Sequence, residues 1–289
     1  DNSGLWEEAS SPALTPDEQE KEQYRAEARR LLQQLQAPAP QPERSKTRFV
    51  RRLLQVAAVV CFVLGSVYLW DYWRKATVDY LEVATAVNEH RDIMLPDGTR
   101  LTLNACSRVR YPEQFLAETR EVELEGEGFF SVTHDAAHPF VIKTSRMDVR
   151  VLGTRFNVKS YSTDEIIAVE VEEGKVQVDL PEAMMRLKAN EQMVCNTSSD
   201  VFNKQRMEHE AATWRKGFLY FDRTPMSDVV KTLERLYSCR IRLAPDQTFD
   251  NLISGEHDNP NLESVLQSIE FTSGIHYRKE GNDILLYKD

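Results

Sequence analysis

The run Leu53 to Trp70, LLQVAAVVCFVLGSVYLW, holds eighteen consecutive residues without a charge, and no other stretch so restricts what the chain can become. A bilayer core of about 30 Å takes about 20 mostly apolar residues in a helix. Asp71, Tyr72 and Trp73 carry the run into the headgroup layer. Its Leu, Val and Phe residues each favour insertion by about 0.3 to 0.6 kcal/mol, which outweighs Gln55 and the Gly65-Ser66 pair. A buried core helix could share this composition, but Tyr68, Trp70, Tyr72 and Trp73 cluster at one end like an interfacial aromatic belt. Some fifty residues precede the run, so a cleaved signal peptide fits poorly.

Charge sets the orientation. Arg44, Lys46, Arg48, Arg51 and Arg52 precede the run with no acid among them, whereas only Arg74 and Lys75 follow it before Asp79. The positive-inside rule then expects a cytoplasmic N-terminus and puts residues from about 74 onward across the membrane. If the source is a Gram-negative bacterium, the run is expected in the inner membrane and the C-terminal part in the periplasm. Residues 1–43 hold nine acids and four bases, so the basic collar cancels their −5, and the overall −10 belongs to the exported part. Nothing in that balance suggests nucleic acid. Three of the four cysteines, Cys106, Cys195 and Cys239, lie beyond the membrane run, and no CxxC offers a zinc or redox site.

In the cytoplasmic piece, Thr15 reads as a helix cap, Pro16 as the first turn and Glu18 as the partner in a capping box. The helix is expected to end near Gln36, where APAPQP stops it. Tyr24, Ala28, Leu31, Leu32 and Leu35 form one narrow apolar stripe at a 3.6-residue period. A tail of this size cannot bury such a stripe by itself. It is either a solvated, frayed helix or a face that docks on a cytoplasmic partner.

From about 78 to 195 the chain alternates in short segments separated by turn signals, as β-sheet does. Asp97-Gly98 is expected to make a two-residue hairpin between Ile93, Leu95 and Leu101, Leu103. Glu173-Gly174 is expected to make a second between Val169, Val171 and Val176, Val178. Gly153 shifts the alternation as a bulge would. The expected fold is an all-β sandwich or short solenoid of about ten strands. Glu121, Glu123, Glu125 and Glu127 fall on one face of a strand, which reads as a solvated face. His134 and His138 sit in a loop rather than on a helix and make a poor metal pair. The segment offers neither a GxSxG elbow nor a phosphate-cradling glycine loop.

Here the residues carry a resemblance. LPDGTRLTLN (95–104), Tyr111-Pro112, Phe115, VELEGEGFFSV (122–132), Pro139-Phe140 and VLGTRFNV (151–158) together resemble the FecR family of transmembrane anti-sigma factors. Gly128 stands where that family usually has Ala, and Asn190 where it often has Gly in a late turn. Some family members cleave themselves at a Gly-Thr bond in this context, so Gly153 and Thr154 are a candidate self-cleavage site. The Thr154 hydroxyl would attack the Gly153 carbonyl. The alternative is that Gly153 is simply a bulge.

Residues 196–213 read as a polar linker, and 214–289 as an α+β layer with an internal repeat. Met226, Val229, Val230 and Leu233 return 36 residues later as Leu262, Val265, Leu266 and Ile269. This unit resembles the short N-terminal domain of secretins and TonB-dependent receptors, which follows the FecR domain in Bacteroidetes-type members. Trp214 to Phe218 looks like that family's first strand.

The resemblance implies a non-enzymatic regulator of an extracytoplasmic-function sigma factor, with no cofactor and no metal. Its cytoplasmic stripe would hold the sigma factor. Its last domain would meet the N-terminal signalling domain of a TonB-dependent receptor through Phe218, Tyr220, Ile284 and Leu286. An intramembrane protease acting near Gly65-Ser66 would be a further partner. The competing readings are an envelope-binding or assembly module and a periplasmic hydrolase.

Overall fold

The structure is a computed structural model. It describes residues 16–36, 44–76, 79–199, 201–258, 261–281 and 283–289. It divides into one unit of residues 1–73 and another of residues 74–289, each considered by itself. The first unit contains α1 (Pro16–Leu35) and most of α2 (Arg44–Ala76). The expected cap Thr15 and the terminating APAPQP lie outside the described residues, as do the side chains of Tyr72, Trp73 and residues 44–49 of the collar. Within α2, the candidate span Val50–Asp71 reaches a mean hydropathy of 2.1 in its most apolar 18-residue window and is not buried. It is long and apolar enough to cross a membrane. The helix runs unbroken through Gly65-Ser66, and the Ser66 hydroxyl donates to the Val63 carbonyl at 2.8 Å.

The second unit begins with β1 (Tyr80–Ala84), β2 (Arg91–Met94), β3 (Arg100–Leu103), β4 (Arg108–Pro112), β5 (Arg120–Ser131), β6 (Phe140–Lys143) and β7 (Asp148–Val151). It continues with β8 (Arg155–Ser160), β9 (Ile166–Glu173), β10 (Lys175–Asp179), β11 (Met184–Lys188), β12 (Glu191–Asn196) and β13 (Val201–Arg206). Two sheets result, and they share one strand. The first runs β1-β4-β5-β6-β7-β10-β11 and the second β2-β3-β5-β8-β9-β12-β13. β5 pairs in the first sheet as far as Glu125 and in the second from Gly126 onward. Gly126, at φ +106°, is the corner. A Cβ there would lie 2.3 Å from the Ser107 hydroxyl oxygen, so no other residue fits. Alternate side chains of both sheets, among them Leu103, Ile142 and Val149 with Phe130, Phe156 and Met193, close one core as a sandwich.

Several turns differ from the sequence expectation. Asp97-Gly98 belongs to a three-residue loop, in which Gly98 N–H donates to Leu95 and Leu95 N–H to Thr99, because Gly98 at φ +80° closes a type I turn with a bulge. Gly174 makes no hairpin. β9 and β10 lie in different sheets, and Gly174 at φ +92° is where the chain crosses between them. The segment 152–154 is the companion crossing from β7 to β8, and the register shift expected at Gly153 falls instead at Arg155/Phe156. Asn190 occupies the left-handed region at φ 62°, as the family's glycine would. The segment expected to link domains contributes β13, which pairs with β12, so the all-β part continues to Arg206.

The remainder comprises β14 (Phe218–Pro225), α3 (Met226–Tyr237), β15 (Arg240–Leu243), β16 (Leu252–Asp258), α4 (Leu262–Ser273), β17 (His276–Glu280) and β18 (Asp283–Tyr287). β14 pairs with β16, and β18 lies between β15 and β17. The repeated apolar positions of α3 and α4 share one core with Phe221, Ile253, Ile284 and Leu286. Ser238 and Gly274 end the two helices in the left-handed region.

Candidate functional site

Three groups of residues bear on function, beginning with the N-terminal helix α1. Tyr24, Leu31, Leu32 and Leu35 are exposed on α1, Leu35 by 82%, and Ala28 shares that exposure. Four large apolar side chains left in water on one helix face cost free energy that a partner would recover, each Leu by about 1.5 to 3 kcal/mol.

A second group joins the two parts of the second unit, where α3 lies against the loop before β9. Asp228 is fully buried. Its two carboxylate oxygens accept the N–H groups of Glu165 and Ile166 at 3.0 and 2.8 Å. Lys231 donates to the Thr163 carbonyl, and Ser227 to the Glu165 carboxylate. Arg235 makes a two-pronged pair with Asp164 at 2.8 Å on each arm. Its guanidinium also lies 3.8 Å from the Tyr161 ring centre. Burial pushes the Asp164 carboxyl up, but hydrogen bonds and charge from Arg235, together with Lys159 at 3.4 Å, outweigh that and hold it below the usual range.

Next to this contact is a cavity of about 110 Å³, lined by Glu127, Lys159, Tyr161, Glu170, Trp214 and Arg235 among others. Asn157 bridges its two acids, donating to Glu127 at 2.9 Å and to Glu170 at 3.3 Å. Burial drives the Glu170 carboxyl up, against the Ala212 N–H that bonds to it at 2.9 Å. Trp214 is not in a strand. It belongs to a 3₁₀ turn, packs edge-on against His90 and donates to Asn157. Sequence reasoning put Glu127 on a solvated face with Glu121, Glu123 and Glu125. The corner at Gly126 turns Glu127 into the second sheet, where it faces this cavity, while Glu123 and Glu125 pair with Arg110 and Arg108.

Of the residues expected to meet a receptor, Phe218 and Tyr220 lie on β14, an edge of its two-stranded sheet, whereas Ile284 and Leu286 do not lie at an edge. Ile284 and Leu286 are in the core, on a strand flanked on both sides. Phe218 and Tyr220 line the junction cavity, and the Tyr220 ring lies 3.8 Å from that of His209. Among the described residues of this region the most exposed large apolar side chain is Phe271 on α4, at 92%, with Leu252 on β16 half exposed.

At the candidate cleavage bond, Gly153 does not adopt a positive φ. Glycine is required there for another reason: a Cβ would approach His134 to 2.7 Å. The Thr154 hydroxyl donates to the Lys175 carbonyl at 2.9 Å. Gly174 packs on the same spot, since a Cβ on it would stand 2.9 Å from that hydroxyl. The two sheet crossings therefore abut. His138 bonds to Asp135, and no group of three metal-ligating side chains occurs among the described residues.

A shared-strand β-sandwich joined to a duplicated α+β layer, behind a helix able to span a membrane, defines the class, and sequence comparison agrees. The family described as FecR protein matches residues 82–177, and FecR, C-terminal matches residues 218–286. Two crystal structures of a candidate anti-sigma factor from Parabacteroides distasonis ATCC 8503 resemble the chain. One is 46% identical, with a TM-score of 0.70, covering 73% of this chain and 100% of its own. The other is 47% identical, with a TM-score of 0.69, covering 72% and 99%. No curated protein matches. The chain belongs to the FecR family.

Proposed function

We propose that this chain is a single-pass inner-membrane regulator of an extracytoplasmic-function sigma factor, with its N-terminus in the cytoplasm. The observation that carries the reading is the exposed stripe of α1, in a family member whose solved relative is described as a candidate anti-sigma factor. α1 holds the sigma factor, α2 crosses the membrane, and residues 74–289 receive a signal from the N-terminal domain of a TonB-dependent outer-membrane receptor. An intramembrane protease cutting near Gly65-Ser66 would release the helix. In a pulldown with residues 1–52, a sigma factor should be recovered, and Leu31→Asp with Leu35→Asp should reduce its recovery at least tenfold, roughly the loss of one buried Leu. Unchanged recovery would overturn the assignment of the stripe. An eluate without any sigma factor would favour an envelope-binding or assembly module.

The duplication supports α4 as the receiving face. On α3 the outward residues Ser227, Asp228, Lys231 and Arg235 are used against the sandwich. Their counterparts 36 residues on, Glu263, Ser264, Gln267 and Phe271, are all exposed. A receptor domain with an apolar pocket would seat Phe271. Phe271→Asp should uncouple sigma release from receptor occupancy while leaving the resting repression intact; a variant that still responds normally would remove α4 from the reading.

A further inference from the structure

The outer faces of the two sheets carry many cations, and most are balanced across strands. Arg108 meets Glu125 at 2.6 Å, Arg110 meets Glu123 at 3.0 Å, Arg155 meets Glu172 at 2.5 Å, and Lys143 pairs with Asp148. At the end of the first sheet this stops. Lys175 on β10 stands directly opposite Lys188 on β11, and Gln177 stands between Arg150 on β7 and Arg186 on β11. Like charges directly opposite on one sheet face destabilise it. Among the described residues, Lys175, Arg186 and Lys188 have no ion pair, and Arg150 has only a loose one, 3.7 Å to Asp179. These side chains surround an open concavity of about 730 Å³ whose lining contains no acid, in a chain whose net charge is −10.

Part of the outward backbone of the rim strand is already engaged. The Arg186 carbonyl accepts from Lys204 at 2.9 Å, and the Lys188 N–H donates to Glu191 at 2.7 Å. These are two of the outward backbone groups that an incoming peptide would use. Recognition here therefore runs through side chains. Neighbouring strands lie about 4.8 Å apart and alternate residues about 7 Å apart, which brings four cations within reach of one small, highly charged group. We propose that this face binds a compact soluble anion carrying two or more clustered phosphates, held by Arg150, Lys175, Arg186 and Lys188 with Gln177 as a hydrogen-bonding partner between them. Arginine supplies forked contacts to phosphate oxygens and lysine supplies point charge.

The full chain in nonionic detergent, titrated calorimetrically with sodium tripolyphosphate, should bind one equivalent. The affinity should fall roughly tenfold or more in Lys175→Gln with Lys188→Gln, while Arg110→Gln, on the balanced face, stays within about twofold. Orthophosphate should bind roughly tenfold more weakly than tripolyphosphate. No saturation by the wild-type chain, equal affinity for the two phosphates, or equal loss in the Arg110→Gln variant would each overturn the site. Retention on micelles doped with phosphatidylglycerol, without binding of tripolyphosphate, would overturn it in favour of a lipid surface. Lys175→Glu should raise the melting temperature by creating the missing cross-strand pair; an unchanged or lower value would remove the like-charge premise.

Discussion

Replacing Arg235 with Leu tests whether the two parts of the unit of residues 74–289 are locked together by charge. The substitution removes both hydrogen bonds to Asp164, whose side chain is fully buried, and the contact with Tyr161. Removing one partner of a buried pair costs about 3 to 5 kcal/mol. Lys159 remains 3.4 Å from Asp164, so the lower end, about 3 kcal/mol, is expected. In a unit the size of residues 74–289, each kcal/mol moves the melting temperature by about 2 to 4 °C, giving a fall of roughly 6 to 12 °C. The pH dependence follows from the depressed Asp164 carboxyl. Stability from such a group is present above its unfolded value of about 3.9 and is lost as pH falls through the lower folded value. The deficit of Arg235→Leu should therefore be full at pH 7 and shrink as the medium is acidified toward pH 3. Differential scanning calorimetry at the two pH values reads both effects, and Asp164→Asn combined with Arg235→Leu should recover part of the loss by a favourable coupling. A melting temperature within about 2 °C of wild type, or a deficit that ignores pH, would refute the reasoning.

Three further outcomes are expected. Glu170 sits with Glu127, His209 and Asn157 around it, and burial raises its carboxyl; a raised acid contributes stability at low pH that is lost as pH rises through its folded value. Glu170→Gln should thus raise the melting temperature at pH 8 and change it little at pH 4, and a gain confined to low pH would contradict it. Gly126→Ala places a methyl 2.3 Å from the Ser107 hydroxyl at a φ of +106°, so it should cost roughly 3 kcal/mol or more by urea unfolding, and a cost under about 1 kcal/mol would mean the corner relaxes. The Gly153-Thr154 bond should stay whole, because the hydroxyl is engaged by the Lys175 carbonyl and Gly153 holds an ordinary φ; fragments beginning at Thr154 after days of incubation would establish self-cleavage, which Thr154→Ala would then abolish.

What the sequence made legible followed period and punctuation. α1, the membrane run, the alternating strands and the repeated helices α3 and α4 lie where their apolar spacing put them. The turns were less legible, since a glycine shows that a special conformation is needed without showing which. Gly98 closes a hairpin, Gly126 bends one strand from sheet to sheet, Gly174 crosses between sheets, and Gly153 merely makes room for His134. Local sequence is much the same in these cases; the difference is made by strands far away in the chain. β13 escaped notice for a related reason: four of the six residues of VFNKQR are polar and nearly all are exposed, an edge strand held by pairing to β12 rather than by burial.

The junction illustrates the limit more sharply. The two copies of the helical repeat share their inward residues, Met226 with Leu262, Val229 with Val265, Val230 with Leu266 and Leu233 with Ile269, all or nearly all buried. These positions answer to one core and so remain readable as a period. Their outward residues have diverged, because each face answers to a different neighbour. Asp228 meets backbone N–H groups and Arg235 meets Asp164, while Ser264 and Phe271 at the same places face solvent. An isolated Asp or Arg on a helix surface reads as solvation, and only the loop from Tyr161 to Ile166, more than sixty residues earlier in the chain, turns those two into a lock. The same comparison then gives Phe271 its meaning. One copy's outer face holds the fold together, while the other copy's face, with an aromatic side chain 92% exposed, stays open to the receptor contact proposed above.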